Sequence, residues 1–206
     1  MYRLYNYPPS GNGYKVRLLL SHLGIPFEYV TLDILKGETR TPEFLAKNPN
    51  GRIPVLEIEP GQHLAESNAI LFYLAQDTPF WPTDLLSQTQ VMGWLFFEQY
   101  SHEPNIATPR FWLCHVPRLN AYQETALPYK QEQGYQALAV MEQHLGQHTF
   151  FVDESYTVAD IALYAYTHVA HEGGFKLDRF PNVRRWLAQI AAQPNHVPIT
   201  QTAFEF

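Results

Sequence analysis

The chain has 206 residues, 46% of them hydrophobic and 15% aromatic, the make-up of a globular protein with enough length for a sizeable core in one large domain or two small ones. Its formal charge is −6, from 14 Lys+Arg against 20 Asp+Glu, and the basic residues are scattered, which makes nucleic acid and anionic membrane surfaces poor partners. The single cysteine, Cys114, excludes an internal disulfide and a cysteine-rich metal cluster and reads as a buried small side chain. No apolar run is long enough to span a membrane and the first residues carry no cleavable apolar leader, so the cytoplasm is the expected location.

Residues 2–7 alternate large and polar side chains as a short strand does, and Pro8-Pro9 ends it. Ser10-Gly11-Asn12-Gly13 reads as a loop. From Tyr14 onward, Val16, Leu19, Leu20 and Leu23 recur at helical spacing, and Gly24 and Pro26 stop the helix. Residues 27–33 are aromatic and β-branched and predict a strand parallel to the first, because a helix joins them. Residues 34–48 look irregular, with one short helix at 42–46. A strand at 55–58, a Pro60-Gly61 turn, a second strand at 62–65 and a helix opening at Glu66-Ser67 complete a β-α-β-α-β-β-α order, that of a thioredoxin-like domain.

Residues 76–86 hold Pro79, Pro82 and Asp84 without periodicity and read as a linker. Beyond them three apolar stripes predict helices: Met92, Leu95 and Phe96; Leu138, Met141 and Leu145; Val183, Trp186, Leu187 and Ile190. Thr157 with Asp160 three residues on reads as an N-cap and a short capping box. The expected organisation is an α/β domain over 1–77, a linker over 78–86 and an all-α helix bundle over 87–206. His144 with His148, and His168 with His171, share helix faces, but neither pair has a third ligand nearby, and no metal is expected.

The helix that opens at Glu66-Ser67 leaves its first N–H groups without intrahelical acceptors, which suits a carboxylate. Pro54 is a candidate for a cis bond that turns Ile53 toward the same place, and the Ile53 backbone could then pair with an extended peptide. Together these features describe a site for a small anionic peptide-like ligand. Taken singly, Pro54 is equally an ordinary turn proline and Glu66-Ser67 an ordinary helix cap.

The ordered set Arg52-Ile53-Pro54, then Glu66-Ser67-Asn68-Ala69-Ile70-Leu71, resembles the glutathione-binding segment of the cytosolic glutathione transferases, and the Thr157–Asp160 start resembles the capping box of that family's helical domain. The resemblance implies that Ile53, before the cis proline, pairs with the cysteinyl part of glutathione and that Glu66 and Ser67 hold its γ-glutamyl end. The Ser10-Gly11-Asn12 arrangement is similar to bacterial serine-type, theta-like and nu-like members, which makes Ser10 and Asn12 the candidates for holding the thiolate. An unperturbed thiol has a pKa of about 8.5, so lowering it by two units makes it mostly thiolate at neutral pH, at a cost of about 2.7 kcal/mol. A hydroxyl, an amide and a helix N-terminus together could supply that. Tyr5 and Tyr7 precede the proline break and read as strand residues, and a turn hydroxyl is the plain alternative for Ser10.

By the same resemblance Arg52 stands where relatives carry a base for the glycyl carboxylate, and Thr39 replaces a histidine that some of them use there. His102, Glu103, Arg110, Phe111 and Trp112 would wall a second-substrate pocket, with core packing an equal explanation, and Glu103 could reach a partner subunit's ligand. The implied protein is a homodimeric transferase of the detoxification type, with glutathione as cosubstrate and a small hydrophobic electrophile as its second partner. Two rivals share the site: a glutathione-dependent disulfide or peroxide reductase, and a non-catalytic interaction protein.

Overall fold

The computed structural model describes residues 1–202. Contacts divide the chain into two compact units, one of Met1–Thr78 together with the segment from Pro194, the other of Pro79–Gln193.

In the first unit β1 (Tyr2–Asn6) is central in a four-stranded sheet of order β2-β1-β3-β4. It pairs parallel with β2 (Phe27–Thr31) and antiparallel with β3 (Val55–Glu59), which forms a hairpin with β4 (Gln62–Ala65). Helix α1 (Gly11–Leu23) crosses between β1 and β2, the short α2 (Pro42–Leu45) precedes β3, and α3 (Ser67–Ala75) follows β4. Strand alternation sends Tyr5 and its partner Val55 to one face, where they pack with Phe44 of α2. Leu4 and Leu56 are paired on the other face and fully buried. Asn6 shares that face and meets α1, which in turn packs on α3.

Two expectations change here. Residues 11–13 are the first turn of α1 rather than a loop, with Ser10 as N-cap. Gly13 is required by contact: a Cβ there would lie 1.8 Å from Asn6 Oδ1. Residues 194–202, expected within the bundle, group instead with the first unit.

The second unit contains α4 (Leu85–Phe97), a π-helical turn (Glu98–His102), α5 (Glu103–His115), α6 (Ala121–Leu145), α7 (Val158–Thr167) and α8 (Pro181–Ala191). All ten residues of α7 are buried. Leu138, Met141, Leu145, Val183, Trp186 and Ile190 are fully buried, as their stripes predict. Helix α4 differs from its predicted stripe, burying Val91 and Leu95 while Phe96 is 65% exposed. Cys114 is also exposed, on the last turn of α5, with its Sγ 3.7 Å from the Glu172 carbonyl.

Asp160, fully buried, centres this unit. Its Oδ2 accepts from the Thr157 N–H at 3.0 Å and the Thr157 hydroxyl at 3.2 Å. Its Oδ1 accepts from the Phe151 N–H at 3.2 Å and from Trp186 Nε1 at 2.9 Å, which joins α7, α8 and the preceding loop. Burial pushes the Asp160 carboxyl up to about 6, against these hydrogen bonds, which pull it down. Because the folded state then holds the proton more tightly than the unfolded chain, this contribution to stability is full below about pH 4 and is lost as pH rises through about 6. Asp160→Ala strands three buried N–H donors at about 1–3 kcal/mol each, and a clearly lowered melting temperature is expected. Melting curves across pH check both statements: the advantage over the variant should shrink between about pH 4 and 6, and an unshifted curve would remove the network's role.

Candidate active site

Ser10 closes a turn, its N–H donating to the Tyr7 carbonyl at 2.9 Å, and its own carbonyl accepts the Tyr14 N–H at 2.9 Å. Its backbone is extended, the usual N-cap conformation, and its Oγ accepts from the Gly13 N–H at 3.3 Å. An accepting hydroxyl keeps its hydrogen, so Ser10 can still donate to an anion at the positive end of α1.

The first turn of α3 supplies the second half of the site. Glu66 precedes it with φ at 66°, a left-handed conformation uncommon outside glycine, and its carbonyl accepts from the Ile70 N–H at 2.9 Å. This backbone bend lets a strand of the hairpin turn straight into a helix. Ser67 is 5% exposed, and its hydroxyl donates to Asn12 Oδ1 at 3.4 Å. Lys15 Nζ, fully buried, lies 3.3 Å from Ser67 Oγ and 3.4 Å from Asn68 Oδ1. Asn12 and Ser67, two residues singled out from distant parts of the sequence, are thus in direct contact, and Lys15 adds a positive group beneath them.

The Ile53–Pro54 peptide is cis. Ile53 packs against Tyr5, Phe44 and Val55, and among the described residues its backbone groups form no hydrogen bond. Next to it, the Arg52 carbonyl is held by Asn48 Nδ2 at 2.8 Å, while the Asn50 N–H donates to Asn48 Oδ1 at 3.1 Å. Asn48, itself 5% exposed, therefore fixes the segment that presents Ile53. The Arg52 side chain is exposed, and so is that of Glu66. Thr39 is 4% exposed in a 3₁₀ turn (Glu38–Arg40), whose Arg40 Nη1 donates to the Asn50 carbonyl at 3.0 Å. Tyr5, the tyrosine competitor, turns its hydroxyl to Glu57 Oε2 at 2.8 Å.

In the helical unit Arg110 is 7% exposed and donates from Nε to Glu172 Oε2 at 2.7 Å. His102 is fully buried with Nε2 2.8 Å from Thr167 Oγ1, and Trp112 is 9% exposed. These three residues of the expected pocket wall are interior to their own unit, the core-packing alternative. Glu103 opens α5 in its first turn, where a carboxylate favours the helix dipole.

Sequence reasoning missed Lys15 and Asn48. Lys15 carried a signal, since it stands four residues before Leu19 on the apolar side of an amphipathic helix, where a solvated lysine would not be placed.

Solved structures with closely similar folds include a glutathione S-transferase from Pseudomonas fluorescens, 49% identical, with a TM-score of 0.94 over 97% of this chain and 99% of that one. A possible glutathione S-transferase from Rhodopseudomonas palustris is 47% identical, with a TM-score of 0.96 over 100% and 93%. The transcriptional regulator URE2 of Saccharomyces cerevisiae is 29% identical over 232 residues, covering 94% of this chain and 66% of that protein. A structure of Ure2p in complex with glutathione superposes with a TM-score of 0.82 at 27% identity, over 94% and 90%. Residues 1–76 match the family model for the glutathione S-transferase N-terminal domain and residues 104–194 that for the C-terminal domain, so the chain belongs to the glutathione S-transferase family.

Proposed function

We propose that this chain is a glutathione transferase of the serine type, activating the thiolate of glutathione for attack on a small hydrophobic electrophile. The observation that carries the reading is the Ser10 hydroxyl, which accepts from Gly13 at the N-terminus of α1 and so keeps its hydrogen for a thiolate. When bound, glutathione supplies the nucleophile; the chain lowers the cost of its charge. Ser10 donates to the sulfur, and the first turn of α1 adds its positive end. Ser67 and the N–H groups that open α3 hold the γ-glutamyl carboxylate, and the buried Lys15 ammonium supports it from behind through Ser67. The Ile53 backbone pairs with the cysteinyl segment, Glu66 faces the γ-glutamyl amine, and Arg52 with Thr39 lies toward the glycyl end. Similarity to the glutathione complex of Ure2p supports the ligand.

Ser10 is preferred to Asn12 as the thiolate donor because its hydroxyl caps α1 and keeps its hydrogen at the positive end of that helix. Ser10→Ala should therefore raise the pKa of bound glutathione and slow conjugation at about pH 6.5, with much of the loss recovered near about pH 9 and affinity little changed. Damage from Asn12→Ala with a silent Ser10→Ala would reverse the assignment, and turnover of mixed disulfides without conjugation would move the reading to a reductase.

Ser67→Ala and Lys15→Met should each weaken glutathione binding by about 1.5–3 kcal/mol, a loss of about tenfold or more read by calorimetry. Unchanged affinity in both would remove this pose of the carboxylate.

The similarity to a transcriptional regulator supports a second reading, a glutathione-binding protein without turnover. Tight binding with no conjugation across a panel of electrophiles would select it. In either case we assign a homodimer, supported by Leu85 and Leu86 at the start of α4, which are 78% and 69% exposed. Sedimentation should give a dimer mass; a monomer would exclude this assembly.

A further inference from the structure

Along one face of α1, side chains grasp successive carbonyls of the segment that starts at Pro194. Ser21 Oγ donates to the Asn195 carbonyl at 2.9 Å, and the Tyr14 hydroxyl donates to that of Val197 at 2.7 Å. His22 Nδ1 lies 2.8 Å from the Pro194 carbonyl, which can only accept, so Nδ1 carries the hydrogen. Residues 14, 17 and 21 are spaced three and four apart and form one row. Arg17, between the other two, is fully buried, and among the described residues no carboxylate pairs with it. Its Nη1 donates to the Gln201 carbonyl, and its Nη2 donates to the Ile199 carbonyl at 3.0 Å and to the Pro8 carbonyl at 3.1 Å. The faces of Tyr14 and Tyr29 flank it, with Cζ 5.4 Å and 5.6 Å from their ring centroids.

Burying a guanidinium is costly, and here three carbonyl oxygens take the place of water at its two Nη groups and two aromatic faces flank it. One of those oxygens belongs to a different kind of element from the other two. Pro8 lies inside the turn that the Ser10 N–H closes on Tyr7, two residues before the N-cap of α1. The guanidinium is planar and its five donors have fixed directions, so the positions of the Ile199 and Gln201 carbonyls restrict where the Pro8 carbonyl can sit.

We propose that residues 194–201 form a strap that, through Arg17 as a positioning residue, sets the turn that carries Ser10, so that a segment distant in sequence tunes the site. The strap and the turn share one rigid fork, and loosening the strap lets the turn drift and misaligns the Ser10 hydroxyl. This inference rests on the thiolate role given to Ser10 above.

The test uses the full chain with Arg17→Met, Arg17→Lys and Tyr14→Phe, and reads the pKa of bound glutathione from thiolate absorbance, beside its Kd and the melting temperature. Arg17→Met should raise the thiol pKa by about one unit, an about tenfold loss of thiolate at lower pH, with the Kd for glutathione held within about threefold. Arg17→Lys should recover part of that shift, since an ammonium still donates to carbonyls but lacks the fork. Tyr14→Phe, which releases the strap at Val197 and leaves the Arg17–Pro8 bond in place, should shift the pKa the same way by less. The Tyr14→Phe shift should vanish in an Arg17→Met background, because the link to the turn is already cut. Lower melting temperatures with an unchanged thiol pKa in Tyr14→Phe would overturn the proposal and leave the strap a structural clamp; this variant decides even if Arg17→Met does not fold. A glutathione thiol that fails to ionise in the unsubstituted protein would overturn the transferase reading and the strap's role together, whereas normal ionisation that no variant alters overturns the strap's role alone.

Discussion

The hydroxyl of Ser67, shared between Asn12 and Lys15, fastens the first turn of α3 to the first turn of α1. Two helix N-termini, each with a positive end, are thereby held against one another. Neither helix alone would make more than a weak anion site. They are fixed together at the end of a sheet whose hairpin leads into one of them, and the cis-linked Ile53 lies in the same unit with its backbone unpaired among the described residues. The burial of Lys15 belongs to this arrangement, since its charge is worth more where water is excluded.

The helical unit solves a different problem with a similar device. Its interior is apolar apart from a few groups, and Asp160 gathers donors from the start of α7, from the preceding loop and from α8 onto one carboxylate. A fully satisfied buried network of this kind specifies one packing of those elements, because every alternative leaves a donor stranded.

The strands and the hairpin were legible in sequence because alternation and turn residues report directly on backbone geometry, and the Thr157 box because capping is local. The first turn of α1 was not, since two glycines lower helix propensity and the reason for one of them, the approach of Asn6, is a tertiary contact. In α4 the stripe was misread by one position: Val91 and Leu95 are four apart, while Phe96 continues the apolar run only in sequence. Segment 194–202 has no periodicity, and it is held through its main-chain carbonyls, which accept from side chains of α1 and which no side-chain pattern records. Of the candidate site, the helix start at Ser67 and the proline at 54 could be read, whereas Asn48 acts through a backbone oxygen and was invisible for the same reason.

The approach of Gly13 to Asn6 also bears on how such a chain can diverge. A methyl group at position 13 would occupy the space that the Asn6 amide fills, and Asn6 in turn reaches the Tyr29 hydroxyl through Nδ2 at 3.1 Å. The end of β1 and the start of α1 therefore cannot vary independently: a larger residue at 13 becomes admissible only after a smaller one at 6, and the intermediate leaves a void beside Tyr29. Mutational paths through this corner have a required order.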